Sequence, residues 1–592
     1  MTSNSFESEQ GFFNHRGMKQ KLFLLLVLMM FVTGGCQHPG AGRPAPSGRA
    51  VQALTNRKDV PTARAQGTRY AVSTQGRAST TAATAMFEAG GNIIDAWVAA
   101  SFTLAVERPQ STGIGGGGFL IFYEASTKRN YAIDFRERAP LKATKNMFLD
   151  KKNEPDPRLS QDSILSVGVP GLVAGLYDVH QKFGKLPWAK TLEPAIRLAE
   201  EGFPVYAQLA EALKERSPVL AKDLSARAIF LDEKGEPWKE GHVLVQKDLA
   251  RTLSLIARRG KKGFYEGPVK ASFLRLSKRE KGVYTEKDFE NVRVVWREPI
   301  MGTFNGYKVV SMPPPSSGGI HILQFLNFFE REDLKNMKPL STEAIHLAAS
   351  SLQQAFADRA VYLGDPDFVK MPVNGLISKE YSKRRHDQVP RDRARKSQDV
   401  KAGEFDESTE TTHLSIIDAD GNAVSSTQTI NGWMGSGIVV PGTGVVLNNE
   451  MDDFSAKPGA SNLFGAIGSE ANSVQPMKTP VSSMSPTILF QNGEAVLALG
   501  APGGTRIISC VAQTILNYAG FNLSLNDSVG AVRYHHQWKP DVLFLDPPGP
   551  GTTIARDLEK MGHQIKIEPI PCAVMAVAKE GKTLKASSDP RD

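Results

Sequence analysis

The feature that most constrains this fold is a hairpin pattern in the stretch TTHLSIIDADGNAVSSTQTIN, residues 411–431. Two β-prone segments flank the step Asp420-Gly421, a dipeptide that favours a two-residue hairpin turn. If the strands pair symmetrically about residue 420, Thr411 lies opposite Thr429. Side chains alternate between the two faces of a strand, so this register places the two threonine hydroxyls side by side. A slip of one residue would separate them.

The segment before this hairpin has a very different composition. Residues 382–410 are rich in charge and contain almost no large apolar side chains, so we expect them to form a mobile surface tether. The polar run stops at Thr411, where strand character begins. A tether that ends directly at a strand is suited to processing, and we expect scission of the bond between Glu410 and Thr411.

Such a cut would give Thr411 the groups that a nucleophile needs. A threonine hydroxyl is a weak nucleophile and requires a base. The freed α-amine has a reference pKa of roughly 8, near the range useful for general-base catalysis. Thr429 would hold the Thr411 side chain through a hydrogen bond. Taken alone, the pattern also fits threonine-rich strands that have no catalytic role.

A second pattern is LALGAPGGTRIISCVAQ, in which an apolar strand ends at a glycine pair and a helix begins near Thr505. The N–H groups of Gly503 and Gly504 can point to the helix entrance, where the helix dipole favours negative charge. We interpret them as donors of an oxyanion hole. The alternative is a plain strand-to-helix turn.

Further motifs carry groups suited to a charged small molecule. Arg136 in DFRERAP stands at the end of an expected strand and could bind a carboxylate through two hydrogen bonds. NNEMDDF supplies clustered acids, and SSMSPT supplies two adjacent hydroxyls. GIGGGGF lacks the Lys and Ser/Thr of a phosphate loop and precedes a strand. We therefore exclude nucleotide binding and expect close backbone packing at that motif.

The N-terminus predicts export. Lys19 and Lys21 precede an apolar run of about eleven residues, which is too short to span a bilayer and is typical of a signal peptide. We assign residues 1–36 to this signal and residues 37–66 to a linker. Cys36 follows small residues, as in bacterial lipoprotein signals, so lipidation with membrane anchoring and simple cleavage are both open. We expect the protein in the bacterial periplasm.

Composition also bears on partners and on the cysteines. The formal charge of +9 is scattered over 592 residues without a basic stripe or interleaved aromatics, so we expect no nucleic-acid partner. Cys510 lies in an apolar helical run and Cys572 in an apolar strand-like run. We expect two separately buried thiols rather than a disulfide.

Taken together, these motifs in this order resemble the γ-glutamyltranspeptidase family of N-terminal-nucleophile hydrolases. The resemblance extends from about Thr68 to the C-terminus. It implies an α/β fold, a four-layer αββα sandwich, made as a zymogen that cleaves itself before a threonine. The large subunit would be residues 67–410 and the small subunit residues 411–592, and the two would form one catalytic unit.

The resemblance also implies a role for each candidate residue. Thr411 would attack a γ-glutamyl amide, Thr429 would hydrogen-bond Thr411, and Gly503 and Gly504 would bind the oxyanion. The residues implied for the substrate α-carboxylate are Arg136, Ser482 and Ser483, and those for its α-ammonium are Asn431, Glu450 and Asp453. The usual substrate is glutathione, the acceptor is water or an amino-acid or peptide amine, and no metal or organic cofactor is required.

Three positions depart from the family pattern, and one of them is Met434, which replaces an aromatic residue expected shortly after Asn431. Glu450 stands where many bacterial members have Gln, and an acid there can still bind an ammonium group. Residues 457–472 resemble the lid loop over the site, with Phe464 where several relatives have a Tyr that is bonded to the site Asn. With Phe at this position, the hydrogen bond that would hold the lid closed cannot form, although an apolar side chain still covers the site.

Two alternative functions stay open. Cephalosporin or glutaryl acylases and poly-γ-glutamate-degrading enzymes use the same fold and nucleophile, although Arg136, Ser482, Ser483 and Asp453 favour a free glutamyl head. An uncleaved, exported binding protein could use the same pocket without turnover.

Overall fold

The computed structural model describes residues 63–403 and 412–591 of the chain. The predicted signal peptide, most of the linker, and both Glu410 and Thr411 lie outside the described residues. Those parts of the sequence analysis stay predictions. No helix in the described residues combines the length and the apolar character needed to cross a bilayer.

Two large antiparallel sheets form the centre of the fold. In spatial order, the seven-stranded sheet contains β1 (Arg64–Gly67), β20 (Thr583–Ser588), β19 (Met575–Glu580), β15 (Glu494–Gly500), β14 (Thr487–Gln491), β9 (Tyr307–Ser311) and β8 (Ile300–Phe304). The six-stranded sheet contains β2 (Tyr70–Thr74), β10 (Thr412–Asp418), β11 (Ala423–Thr429), β3 (Gly117–Glu124), β4 (Arg129–Asp134) and β7 (Val295–Arg297).

Short strands form three smaller sheets at the periphery. These strands are β5 (Phe203–Pro204) with β6 (Val243–Leu244), β12 (Val439–Val440) with β13 (Val445–Val446), and β16 (Tyr534–His535), β17 (Leu543–Leu545) and β18 (Ile565–Ile567).

The helices are numbered along the chain. They are α1 (Arg77–Glu88), α2 (Ile93–Glu107), α3 (Pro157–Gln161), α4 (Leu172–Phe183), α5 (Trp188–Glu201), α6 (Ala207–Leu220), α7 (Leu224–Phe230), α8 (Lys247–Arg259), α9 (Lys262–Tyr265), α10 (Pro268–Arg279), α11 (Glu286–Glu290), α12 (Gly318–Phe329), α13 (Thr342–Tyr362), α14 (Val373–Leu376), α15 (Lys379–His386), α16 (Arg506–Ile515), α17 (Leu525–Gly530) and α18 (Thr552–Lys560).

Alternating side chains of the strands build three apolar layers. In β3, Phe119 and Ile121 pack between the two sheets, while Leu120 and Phe122 pack against helices on the other face. In the seven-stranded sheet, Leu497 belongs to a separate cluster shared with α12, α13 and α16. Both sheets are therefore covered on both faces, which explains the nearly continuous burial along β3, β11 and β14.

Each large sheet takes strands from both sides of residues 404–411. β10 and β11 lie between β2 and β3 in the six-stranded sheet, and β14 pairs with β9 in the other. The hairpin pairs Ile417 with Ala423 and Thr412 with Gln428, so the predicted register is confirmed over the described residues.

The predicted mobile tether is wrong for residues 382–403. α15 extends into this stretch, and other elements then bind its backbone. The Trp538 Nε1 donates to the carbonyl of Val400 at 3.0 Å, the Ser397 N–H donates to Asp541 at 2.9 Å, and the Gly403 N–H donates to Asp358 at 2.7 Å. Composition shows that this segment has few apolar side chains, but it does not show that polar side chains elsewhere bind its backbone.

Candidate active site

The hairpin places Thr429 next to the start of β10. Thr429 is fully buried, and its Oγ1 accepts a hydrogen bond from the Asn431 N–H at 2.7 Å. A Cβ at Gly116 would lie 1.8 Å from the Thr429 carbonyl oxygen, so only glycine fits at that position. The close backbone packing predicted for GIGGGGF is therefore confirmed, and it fixes the end of β11.

His413 lies in β10, within this hairpin, and is paired with Thr427. Its ring nitrogens lie 2.9 Å from Thr427 Oγ1 and 2.8 Å from Ser415 Oγ, and burial lowers the pKa of the imidazole to about 3. A neutral His413 therefore connects hydroxyls that share the face on which the sequence predicts the nucleophile.

His413 makes the stability of the protein depend on pH. Between about pH 6.5 and 3 the unfolded chain binds a proton at this position and the folded chain does not, so stability is lost as the pH falls. In His413→Gln we expect this loss to be shallower by up to about 1.4 kcal/mol per pH unit. Urea unfolding at several pH values measures the free energy of unfolding of both proteins. The difference between the two proteins near neutral pH gives the cost of the lost hydrogen bonds, and it is subtracted at every pH. Equal slopes in both proteins would contradict this prediction.

The predicted oxyanion turn follows β15. The strand ends at Gly500 and α16 begins at Arg506, as the sequence predicts. Gly503 has φ +128° and Gly504 has φ +63°, conformations that favour glycine. Among the described residues neither N–H has a hydrogen-bond acceptor, so both are available to an oxyanion.

The two internal cysteines form a disulfide, which corrects the expectation of separate thiols. Cys510 lies in α16 and Cys572 in the loop beside Gly503, with Cα atoms 6.7 Å apart. The predicted burial of both residues is confirmed. Each local pattern indicates burial, but only the crossing of this loop over α16 brings together two residues separated by 62 positions.

The charged candidates form one buried cluster. Arg136 donates from Nη1 to Glu450, from Nη2 to Asp453 Oδ2 at 2.5 Å, and from Nε to the Pro480 carbonyl at 2.8 Å. All three charged side chains are fully buried. The family resemblance implies that Arg136 and the two acids bind different groups of a ligand, whereas the structure places the three side chains in direct contact.

Glu137 also belongs to this cluster, although no sequence motif predicted a role for it. Both of its carboxyl oxygens are buried and receive no hydrogen bond from an N–H or hydroxyl among the described residues, while the Glu450 carboxyl lies within hydrogen-bonding range. Burial raises the pKa of Glu137 to about 8, although the charge of Arg136 opposes this effect. Burial also raises the pKa values of Glu450 and Asp453. The position of Glu137 directly after Arg136 in DFRERAP is the sequence feature that could have indicated it.

The cluster has more hydrogen-bond acceptors than donors. Glu450 Oε2 and Asn431 Oδ1 are buried and receive no hydrogen bond from an N–H or hydroxyl among the described residues, and the Glu137 carboxyl lies beside Glu450. Asn431 Nδ2 donates to the Asn449 carbonyl at 3.0 Å. A buried acceptor without a donor is costly. An ammonium group, which carries three donors and no acceptor, would satisfy these oxygens.

The two candidate serines lie at the edge of the cluster. Arg136 Nη2 donates to the Val481 carbonyl at 3.3 Å, directly before Ser482. Ser482 Oγ accepts from the Met484 N–H at 3.1 Å, and Ser483 Oγ accepts from Arg359 Nη2 at 2.7 Å. Both hydroxyls therefore keep a proton that they can donate to a carboxylate.

A cavity of about 680 Å³ reaches part of this site. Asn431 and Gly503 line it, together with Trp433, Phe464 and Cys572. The other ligand-binding candidates, which are Arg136, Glu450, Asp453, Ser482 and Ser483, do not line this cavity and are buried. The structure thus brings the candidates into one region, with the oxyanion turn on the open side.

Residues 457–472 cover the cavity, as their resemblance to a lid loop predicts. Leu463 and Phe464 line it, and the Leu463 N–H donates to Asp452 Oδ2 at 2.8 Å. Asn462 Nδ2 donates to Asp453 Oδ1 at 3.1 Å. Asp453 of the cluster and the adjacent Asp452 therefore bind the covering loop.

Comparison with known proteins agrees with this geometry. The family model described as Gamma-glutamyltranspeptidase matches residues 79–592. A glutathione hydrolase proenzyme of Escherichia coli (strain K12) is 43% identical over 507 residues, which cover 85% of this chain and 87% of that protein. An Acylase ACY 1 proenzyme of Pseudomonas sp. (strain SE83) is 37% identical, with 85% and 88% covered.

Among solved structures, the cephalosporin acylase from Bacillus halodurans superposes with a TM-score of 0.79 at 26% identity, covering 94% of this chain and 98% of that chain. The family model covers most of the chain, and the relatives are similar over nearly their whole length. This chain belongs to the γ-glutamyltranspeptidase family.

Proposed function

We propose that the chain is an autoprocessed γ-glutamyltransferase and glutathione hydrolase, cleaved between Glu410 and Thr411. The observation that carries this proposal is the placement of Thr429, Asn431 and Gly503 around the start of β10. The pairing of Thr412 with Gln428, extended by one residue, would set Thr411 opposite Thr429. The proenzyme relative at 43% identity supports the same processing.

In the proposed reaction, the Thr411 hydroxyl attacks the γ-carbonyl carbon of the substrate. Its proton passes to the α-amine of Thr411 and then to the departing amine, so that the C–N bond breaks and an ester forms. The N–H groups of Gly503 and Gly504 would stabilise the negative oxygen, with a rate effect of roughly a hundredfold to a thousandfold per donor. Water or an acceptor amine then cleaves the ester and restores the hydroxyl.

The buried cluster supports a glutamyl substrate with a free α-amino acid head. The buried acceptor oxygens of Asn431 and Glu450 suit the α-ammonium. The hydroxyls of Ser482 and Ser483 keep a proton for the α-carboxylate, and Arg136 would bind it by exchanging its contact with Glu450 or Asp453. A glutaryl group lacks the ammonium and would leave the acceptors unsatisfied, which disfavours the acylase alternative.

The proposal has two further parts. The helix–sheet–sheet–helix packing is what an αββα sandwich requires, and we propose that a large subunit, residues 67–410, and a small subunit, residues 411–592, together form it. We also propose export to the periplasm through residues 1–36, with Cys36 as the position of a lipid anchor if the signal is of the lipoprotein type.

Substrate comparison tests the function. We expect kcat/KM for γ-glutamyl anilide to exceed that for glutaryl anilide by about a hundredfold or more, because only the former satisfies the buried acceptors. Anilide release measured on one preparation gives both values. Equal or better turnover of the glutaryl compound would favour the acylase, and one full-length band on a denaturing gel without turnover would favour a binding protein.

A further inference from the structure

The oxyanion turn cannot be fixed through its own donors. The N–H groups of Gly503 and Gly504 have to stay free for the oxyanion, so they cannot bind the protein at the same time. The carbonyls of the two glycines accept from the N–H groups of Arg506 and Ile507 at 3.1 and 2.9 Å, and these bonds join the turn to the start of α16. The other side of the turn must therefore be fixed by packing.

The loop between β18 and β19 provides this packing. A Cβ at Gly503 would lie 2.7 Å from Cys572 Cβ and 2.9 Å from Cys572 Cα, so the loop lies directly against the glycine. Away from this contact, N–H groups of the same loop donate to Asp546 Oδ1 at 3.3 Å and to Asp589 Oδ2 at 3.0 Å. The contact with Gly503 therefore lies between two anchored points, and its position depends on what holds Cys572.

The disulfide holds Cys572 against the helix that follows the turn. Cys510 lies about one helical turn after Arg506 in α16 and is fully buried. The bond thus joins two segments that meet at Gly503, which are α16 and the loop that packs on the glycine. Breaking the bond would leave only noncovalent contacts between this loop and the oxyanion turn.

Cys572 is the half of the bond that a reagent can reach. It lines the cavity beside Gly503, whereas Cys510 does not line the cavity. A thiolate in the cavity would attack Cys572 Sγ, the bond between the two sulfur atoms would break, and Cys510 would leave with the electron pair and take up a proton. A second thiol would attack the reagent's sulfur and release Cys572 as a thiol, so two reagent thiols are oxidised to a disulfide while both cysteines are reduced.

We propose that Cys510 and Cys572 are positioning residues for the oxyanion turn, and that small thiols which enter the cavity lower turnover by reducing their bond. This inference rests on the proposed function, because it acts through the donors that stabilise the negative oxygen. Reduction frees the loop, the turn loses its packing on one side, and the N–H groups of Gly503 and Gly504 lose their alignment. The buried glutamyl-binding cluster contains no residue of this loop, so binding of the glutamyl head is retained.

Reversible reduction of the processed wild-type protein tests this role. After treatment with dithiothreitol and its removal, we expect two more thiols per chain and a kcat for γ-glutamyl anilide about tenfold lower, which is less than the full loss of one donor. KM should stay within about twofold, because the glutamyl head keeps its contacts. Reoxidation with hydroxyethyl disulfide should restore kcat. The anilide carries no thiol, so the assay itself does not reduce the protein.

Three variants show whether the effect acts through Gly503. C510A/C572A should have the kcat of the reduced wild type and should not respond to dithiothreitol. In Gly503→Ala the packing contact is already displaced, so reduction should lower kcat by less than about twofold. Gly551→Ala is the matched control, because Gly551 also has a positive φ but does not line the cavity, and reduction should cost it as much as the wild type.

Thiol labelling read by peptide mass spectrometry and circular dichroism complete the test. Labelling of Cys510 or Cys572 before reduction would overturn the bond, and no gain of thiols after dithiothreitol would overturn its reduction by small thiols. An unchanged kcat after reduction, an equal loss in Gly503→Ala, or a loss that follows unfolding would overturn the positioning role. In these cases the wild type still releases anilide and the proposed function stands, whereas a wild type that releases none would overturn both.

Discussion

Replacing Thr411 by alanine is expected to leave one uncleaved chain with no measurable γ-glutamyl turnover. The same hydroxyl would attack the preceding peptide carbonyl during maturation and the γ-glutamyl carbonyl during catalysis, so one change removes both steps. We expect a loss of kcat/KM of about 10⁴-fold or more. A denaturing gel, N-terminal sequencing and anilide release measure the two effects separately.

Two variants control this experiment. Thr412→Ala changes the adjacent threonine, at a strand position of the opposite alternation, and should leave cleavage and turnover intact. Thr411→Ser keeps a hydroxyl and should retain part of both activities. A Thr411→Ala protein that is still cleaved and active would refute the mechanism.

Replacing Gly503 by alanine should produce the second-largest loss, about a hundredfold to a thousandfold in kcat. A Cβ at this position would lie 2.3 Å from the Pro571 carbonyl oxygen and 2.7 Å from Cys572 Cβ, and φ +128° is strained for alanine. The loop must then move and carry the N–H group away from the oxyanion. KM should change little, because the buried glutamyl-binding residues keep their places.

Gly551→Ala is the matched control for backbone strain. Gly551 has φ +108°, but a Cβ there meets no atom within 4 Å, and the residue does not line the cavity. It should lose stability without a selective loss of kcat. Steady-state kinetics and thermal unfolding of both variants separate the two effects, and a Gly503→Ala enzyme with wild-type kcat would exclude this oxyanion hole.

Local chemistry explains what the sequence could predict. The Asp420-Gly421 step defines the hairpin register, and GAPGG between an apolar strand and a helix defines the oxyanion turn. In each case neighbouring residues decide the conformation.

Contacts between distant segments explain what the sequence could not predict. The Cys510–Cys572 bond depends on a loop crossing a helix, and the order of residues 382–403 depends on acceptors from Asp358 and Asp541. The raised pKa of Glu137 depends on its complete burial beside other acids. Neither the disulfide nor the order of residues 382–403 leaves a pattern in the adjoining sequence, and the position of Glu137 beside Arg136 does not reveal its raised pKa.

The alternation of strands from both halves of the chain determines how a cleaved product would behave. β10 and β11 are inserted between β2 and β3, and β20 pairs with β1, so the two pieces would share both sheets and all three apolar layers. Their interface would be a protein interior rather than a surface, and dilution would not dissociate them. Neither piece would retain a complete core, so a fragment expressed by itself would not be expected to reach the native state.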